Sequence, residues 1–378
     1  MSEPRTSRLT SLERLGLRVV AAPGEESLDA EVHVLDDVER AGVRRAERRA
    51  LVGSLVVGAL SALLAGWAEV RALPLLGPLP DLAGRSETIA FWAAYGPVLA
   101  LVTGVEIASL FGISLAAVRG QGRAAGTPLQ VAVGFPTALA LTRAALELPN
   151  PMEPDLGVDP RREASRAQLL LASLAYKGRV AASTFLVKVL LRRAIGRAAT
   201  RFLLAFAAVP VNAVWNVVTT WLVLREGRVR VMGPSAALEM YRVAASECPE
   251  PSVDGRAACF KAVGACVVRS RDLHPNHVVM LRLLRARLGE VPPGRQIDSP
   301  ERFLSVIAGL PEAERRLAVR CLTIASVIDG RLGVRERALL LQARRAAGLD
   351  GDLAAARKLL ADFMSGRNIP PADVLALA

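Results

Sequence analysis

The chain has 378 residues, enough for two or three structural units, and 52% of them are hydrophobic with a positive mean hydropathy of +0.33. Aromatic residues make up only 4%, so the apolar character comes from Ala, Leu and Val, which favours helices over strands. The net charge of +12 is nearly all arginine, since lysine occurs only at Lys177, Lys188, Lys261 and Lys358. These arginines sit beside apolar runs without interleaved aromatics, which excludes a nucleic-acid interface and fits membrane-flank charges.

Residues 1 to about 35 read as a loosely ordered polar lead. A helical pattern starts at Asp36 and feeds into Leu51–Val70, the first candidate membrane span, with Arg44, Arg45, Arg48 and Arg49 just ahead of it. The second candidate is Thr88–Val118, which holds no Lys, Arg or Asp and one carboxylate, Glu106. The intervening loop carries only Arg71 and Arg85 as bases, and Arg119 and Arg123 follow the second run. The positive-inside rule then puts the N-terminus in the cytoplasm and the hairpin loop outside.

Small residues recur along the second run at every fourth position: Gly96, Ala100, Gly104, Ala108, Gly112 and Ala116. Such a stripe lets another helix backbone approach closely. It serves either a second copy of the chain or Leu51–Val70, which offers Ser61, Ala62, Ala65 and Gly66. Glu106 lies about 200° around the helix from Gly104, opposite the stripe. A carboxylate at that depth either handles protons or cations, or is a protonated packing residue bonded to a neighbour such as Ser109 or Thr103.

Beyond the hairpin, Gly126–Glu147 is moderately apolar, and Leu148–Pro160 is Pro-rich linker or loop. Ala164–Arg201 reads as a basic amphipathic helix suited to an anionic lipid surface. Phe202–Leu224 is a third apolar run, interrupted by Pro210, Asn212 and Asn216 and flanked by arginines on both sides. If it spans, the C-terminus is outside; if it is re-entrant or packs in the interface, the C-terminus is inside. The second reading is favoured because the tail is expected in the cytoplasm. Amphipathic helices follow from Gly233, with a linker at Val291–Pro300. The resulting division is 1–49, 50–118, 119–232, 233–297 and 298–378.

Cys248, Cys259, Cys266 and Cys321 follow no signal peptide and are expected as reduced thiols. Cys259, Cys266, His274 and His277 are too widely spaced for a structural zinc site. Seven-residue spacing instead puts Cys259 and Cys266 on one helix face as core residues, with Asn276 placed to cap the next helix. Gly120 and Gly122 follow no strand and make no phosphate loop. No nucleophile elbow, zinc-protease, Walker or paired-carboxylate motif is present, which argues against an enzyme.

The last stretch reads as four short helices, with breaks at Asp329-Gly330 and Leu349-Asp350-Gly351. Ala325–Asp350, ASVIDGRLGVRERALLLQARRAAGLD, resembles the TerB-like domain of tellurite-resistance proteins. That resemblance implies a cytoplasmic helical domain in which acidic residues around the turn hold a divalent cation, carried here by Asp329 and Glu336, with Asp350 as a further candidate. It is not an EF-hand, because the first two ligand positions would be Ala325 and Val327. The segment RRAIGRAATRFLLAFAAVPVNAVWNVVTT resembles the end of the EcsC family.

Together these readings give an all-α, multi-pass bacterial inner-membrane protein. It comprises a transmembrane hairpin, amphipathic membrane-associated helices and a soluble TerB-like helical tail that stays in the cytoplasm. The expected role is a non-enzymatic anchor or scaffold whose tail senses a divalent cation or docks a cytoplasmic protein in an envelope or stress response. Its partners are the bilayer and, through the stripe, a second copy. The rival reading is an oligomeric transport or channel component working through Glu106.

Overall fold

The computed structural model describes residues 11–20, 33–76, 84–126, 135–145, 156–162, 201–290 and 296–378. Every regular element among them is a helix. The helices are α1 (Ser11–Val20), α2 (Asp37–Ala72), α3 (Arg85–Ala124), α4 (Phe135–Ala145) and α5 (Arg201–Ala244). After these come α6 (Val253–Ser270), α7 (Pro275–Leu288), α8 (Pro300–Ala308), α9 (Glu312–Val327), α10 (Val334–Ala346), α11 (Ala354–Ser365) and α12 (Pro371–Leu375). The expected basic helix at Ala164–Arg201 falls, but for Arg201, outside the described residues.

Two compact units result: Met1–Arg45, Val118–Ala164 and Leu224–Ala378 make one, and Ala46–Ala117 with Ser165–Val223 make the other. In the first unit α6 is the central helix. From Ala257 to Val268 it is buried throughout, and α7, α8, α9 and α10 all pack on it. Apart from Phe260 and Lys261 that stretch is built of Ala, Gly, Cys and Val, and these small side chains let the surrounding helices come close. The stretch Val291–Pro300 does not part the helices on either side of it, since α8 and α9 pack directly against α6.

Buried guanidinium groups tie distant segments of this unit. Arg320, 2% exposed, pairs with Glu247 at 2.7 Å and donates to the carbonyls of Leu375 (3.0 Å) and Ala378 (3.2 Å). Arg40 donates to the carbonyls of Leu35 and Arg367 and pairs with Glu239 at 3.4 Å. The polar lead expected before residue 35 contains a helix after all: α1 buries Leu17 and Val20, packs on α4, and its Glu13 pairs with Arg143 at 2.7 Å. Alternation of Leu and Val with charges over so short a stretch hides its one apolar face.

In the second unit α2 and α3 run antiparallel. Ala68 and Ala72 pack on Phe91 and Tyr95 at one end, and Gly53 lies beside Ile113 toward the other. Both helices are long and apolar enough to cross a membrane by length and composition, with a mean hydropathy of 2.0 over the best window of each. Only 33% and 17% of those windows are buried, unlike the core helix of a soluble protein. The third apolar run is continuous in its backbone: α5 passes unbroken through Pro210 and on to Ala244.

Candidate functional site

Two clusters of functional groups stand out, one in each unit. In the first unit, α9 ends at Val327 and the chain turns at Asp329-Gly330 before α10. Gly330 has φ +77°, and a Cβ there would meet Met364 Sδ and Val229 Cγ2 at 2.8 Å, so the turn demands glycine. Asp329 Oδ1 accepts the Arg331 N–H at 2.9 Å, and Glu336 Oε2 accepts the Gly333 N–H at 2.6 Å, capping α10. The turn therefore draws both carboxylates inward, leaving Asp329 6% and Glu336 3% exposed.

Together they line a cleft of about 370 Å³, joined by Asp272 and by the guanidinium groups of Arg269, Arg331 and Arg335. Behind the cleft, Cys266 Sγ lies 3.6 Å from both Ser326 Oγ and Glu336 Oε1. His277 Nε2 donates to the Ala325 carbonyl at 2.9 Å. Its Nδ1 is buried with no hydrogen-bond partner among the described residues.

A second set of bonds joins α5, α7 and α9. Asn276 Nδ2 donates to the carbonyls of Val229 (2.9 Å) and Ile328 (2.7 Å). The cap of α7 is His274, not Asn276: its Nδ1 accepts the Asn276 N–H at 3.2 Å. That leaves Nε2–H to donate to Glu226 at 3.4 Å, and Glu226 also pairs with Arg230 at 3.0 Å. Asn276 was free to be drawn into the core because the preceding histidine can fill the same capping role.

Electrostatics divide these groups. Burial pushes the Glu336 carboxyl up to about 7, helped by the neighbouring charge of Asp329. Burial likewise raises Asp329, against the pull of His277 and His274, and lowers His277. The Cys266 thiol is held well above its ordinary value by burial and by the Glu336 and Asp329 charges, so it is no nucleophile. For Glu226 burial acts upward too, but the His274 hydrogen bond and the Arg230 charge prevail and bring it down to about 2.

The donors do not fit a divalent cation. Three carboxylates share the cleft with three guanidinium groups, and two of the three are already turned toward backbone N–H groups. A hard cation takes six or more oxygens. Among the described residues no group of three His, Cys, Asp or Glu side chains is placed to hold a metal. Asp350 is exposed, its carbonyl accepts from Arg344, and it does not line the cleft. Asp352 caps Ala354 instead. Cys259 is buried, away from the cleft.

The second cluster surrounds Glu106, which is 4% exposed. Its Oε1 accepts from Asn212 Nδ2 at 2.9 Å and from Asn216 Nδ2 at 2.6 Å. Asn212 Nδ2 also donates to the Gly58 carbonyl at 2.9 Å, so α2, α3 and α5 meet at one point. Gly58 permits this approach: a Cβ there would lie 2.8 Å from Asn216 Nδ2 and 2.9 Å from Ala213 Cα. Glu106 thus bonds to Asn212 and Asn216, where Ser109 or Thr103 was expected. The signal was present as two asparagines four residues apart, one helix face, inside an apolar run.

The stripe lies on the other side of α3. Ala100, Gly104, Ala108, Gly112 and Ala116 are exposed, Gly96 is half-buried, and a Cβ added at Gly104 or Gly112 would meet no atom of a neighbouring described element within 4 Å. Helix α2 packs against Phe91, Tyr95 and Ile113 rather than along this stripe.

Comparison with protein-family models, curated proteins and solved structures finds no match to this chain. The TerB-like and EcsC-like resemblances draw nothing from those comparisons.

Proposed function

We propose that this chain is a non-enzymatic integral membrane protein in which the apolar helices anchor a cytoplasmic helical unit that docks a protein partner through the Asp329–Glu336 cleft. One observation carries the anchoring: the described helices of the second unit expose large apolar side chains and bury polar ones. Leu60, Leu64, Trp67, Leu101, Val105 and Phe111 are exposed, while Ser54, Ser61, Glu106, Ser114 and Asn216 are buried. In water that arrangement forfeits the hydrophobic driving force; in a bilayer it places apolar side chains against lipid. Arginines at Arg44, Arg45, Arg48, Arg49, Arg119 and Arg123 support a cytoplasmic unit and an inner-membrane location.

Of the two roles that the TerB-like resemblance implies, docking suits the cleft and cation sensing does not. Interspersed guanidinium and carboxylate groups match a partner surface of mixed charge. A role in an envelope or stress response follows from the resemblance alone. The stripe on α3, open among the described residues, suits a second copy of the chain.

Two measurements test this reading. Alkaline carbonate should leave the full-length chain in the membrane pellet; release into the supernatant would refute anchoring. A photo-crosslinker at Arg335 should give one discrete adduct in intact cells, lost on Arg331→Glu; a ladder insensitive to that change would refute docking.

The rival transport reading draws on Glu106 as a carboxylate buried between apolar helices. Its two amide donors fit an interhelical bond equally well. Glu106→Gln separates the two, because loss of ion flux from a folded protein in vesicles supports transport, whereas reduced stability alone supports packing.

A further inference from the structure

The cleft of the first unit is mixed in charge, but its two signs do not stand at the same depth. Asp329 and Glu336 are buried, and each already accepts a backbone N–H, from Arg331 and Gly333 respectively. Burial also favours the neutral form of both carboxyl groups. The guanidinium groups stand at the rim: Arg331 and Arg335 are exposed and Arg269 is half-buried. Asp272 is the one carboxylate of the cleft left half-buried against these three. What a partner meets first is therefore positive.

The rim arginines differ in what they already hold. Arg269 pairs with the exposed Glu301 of α8 at 3.0 Å, and Arg331 lies 3.8 Å from Glu226 of α5. Pairs between such solvent-facing side chains are weak and readily exchanged. Arg335 pairs with no carboxylate among the described residues. The rim thus takes carboxylates from its own chain at two positions and leaves a third guanidinium over. Next to Arg335, at the start of α10, Val334 is 73% exposed and lines the same cleft.

We infer that the partner of this cleft presents an acidic segment, whose carboxylates are taken by Arg331 and Arg335 and whose neighbouring apolar side chain rests on Val334. The planar fork of a guanidinium suits a carboxylate, which it can hold through two parallel bonds. A phosphorylated segment fits less well, because its second negative charge would face Asp272, Asp329 and Glu336. The inference rests on the docking reading and narrows a partner surface of mixed charge to its anionic part.

A photo-crosslinker at Val334 of the full-length chain, in intact cells, leaves all three arginines in place and tests it. The adduct should be one protein, and its crosslinked peptide, mapped by mass spectrometry, should carry Asp or Glu on either side of the attachment point. Arg331→Gln combined with Arg335→Gln should cut the yield about tenfold. Changing the partner's mapped carboxylates to lysine should cut it equally, and Arg331→Glu with Arg335→Glu should then restore it. Both arginines are exposed, so these variants keep the fold, as circular dichroism of the purified protein checks. A discrete adduct on a basic or uncharged segment, on a phosphorylated residue or on phospholipid overturns the acidic partner while leaving a ligand at the cleft. So does a yield that ignores both arginine changes. A ladder of adducts with no discrete product overturns docking itself, and the acidic segment with it.

Discussion

Glu336 and Glu226 share one unit and are driven in opposite directions. Glu336 is moved from 4.5 up to about 7, so its contribution to stability is complete below pH 4.5 and is lost as pH rises through 7. At about 1.4 kcal/mol per unit the loss approaches roughly 3 kcal/mol. Glu336→Gln keeps an acceptor for the Gly333 N–H and should be more stable than the parent above pH 7, and equal to it near pH 4.5. Denaturant unfolding of the detergent-solubilised chain across this range checks it; an unchanged pH profile would count against a strained Glu336. Glu226, moved from 4.5 down to about 2, gives the reverse: stability present above pH 4.5 and lost as pH falls toward 2. Glu226→Gln should therefore weaken the protein at neutral pH and flatten its acid limb, as followed by circular dichroism during acid titration.

At the scale of elements, the Glu106–Asn212–Asn216 contact fixes the register of three helices. An interhelical hydrogen bond in lipid contributes about 0.6–2 kcal/mol. Asn216→Ala should lower the unfolding free energy by about that much, and in a Glu106→Gln background by less, since the two changes share one bond. Additive losses in this double-mutant cycle would show that the bond contributes nothing. Gly58→Leu should be worse than either, because the new side chain displaces the α5 backbone; unfolding midpoints compare them directly. The individual helices were legible in the sequence: hydrophobic length marked α2 and α3, and Pro, Ser and Gly punctuation marked α8 to α11 within a residue or two. The partner of Glu106 was not, because Asn212 and Asn216 mark a polar helix face but nothing local ties that face to a carboxylate 110 residues away. The same two asparagines read as breaks in a membrane span when seen alone.

At the scale of the whole molecule, composition disclosed the all-helical class and the two apolar helices. The TerB-like resemblance singled out Asp329 and Glu336, which share the cleft, though not the arginines that join them. Arg269 comes from α6 and Arg331 and Arg335 from the turn and start of α10, so only folding brings their charges to one cleft. Titration of the full-length chain with Ca²⁺, Mg²⁺ or Zn²⁺ in a calorimeter should give no saturable heat at the cleft. Stoichiometric binding abolished by Asp329→Ala would contradict this.

The small-residue core of α6 has a practical consequence for oxidants and thiol reagents. Of the four cysteines only Cys248 is half-buried, while Cys259, Cys266 and Cys321 are sealed among closely packed helices. A folded molecule should therefore surrender one thiol quickly and three only when the unit opens. The slow phase is a clock for that opening, readable in a crude membrane preparation by counting mass additions with time.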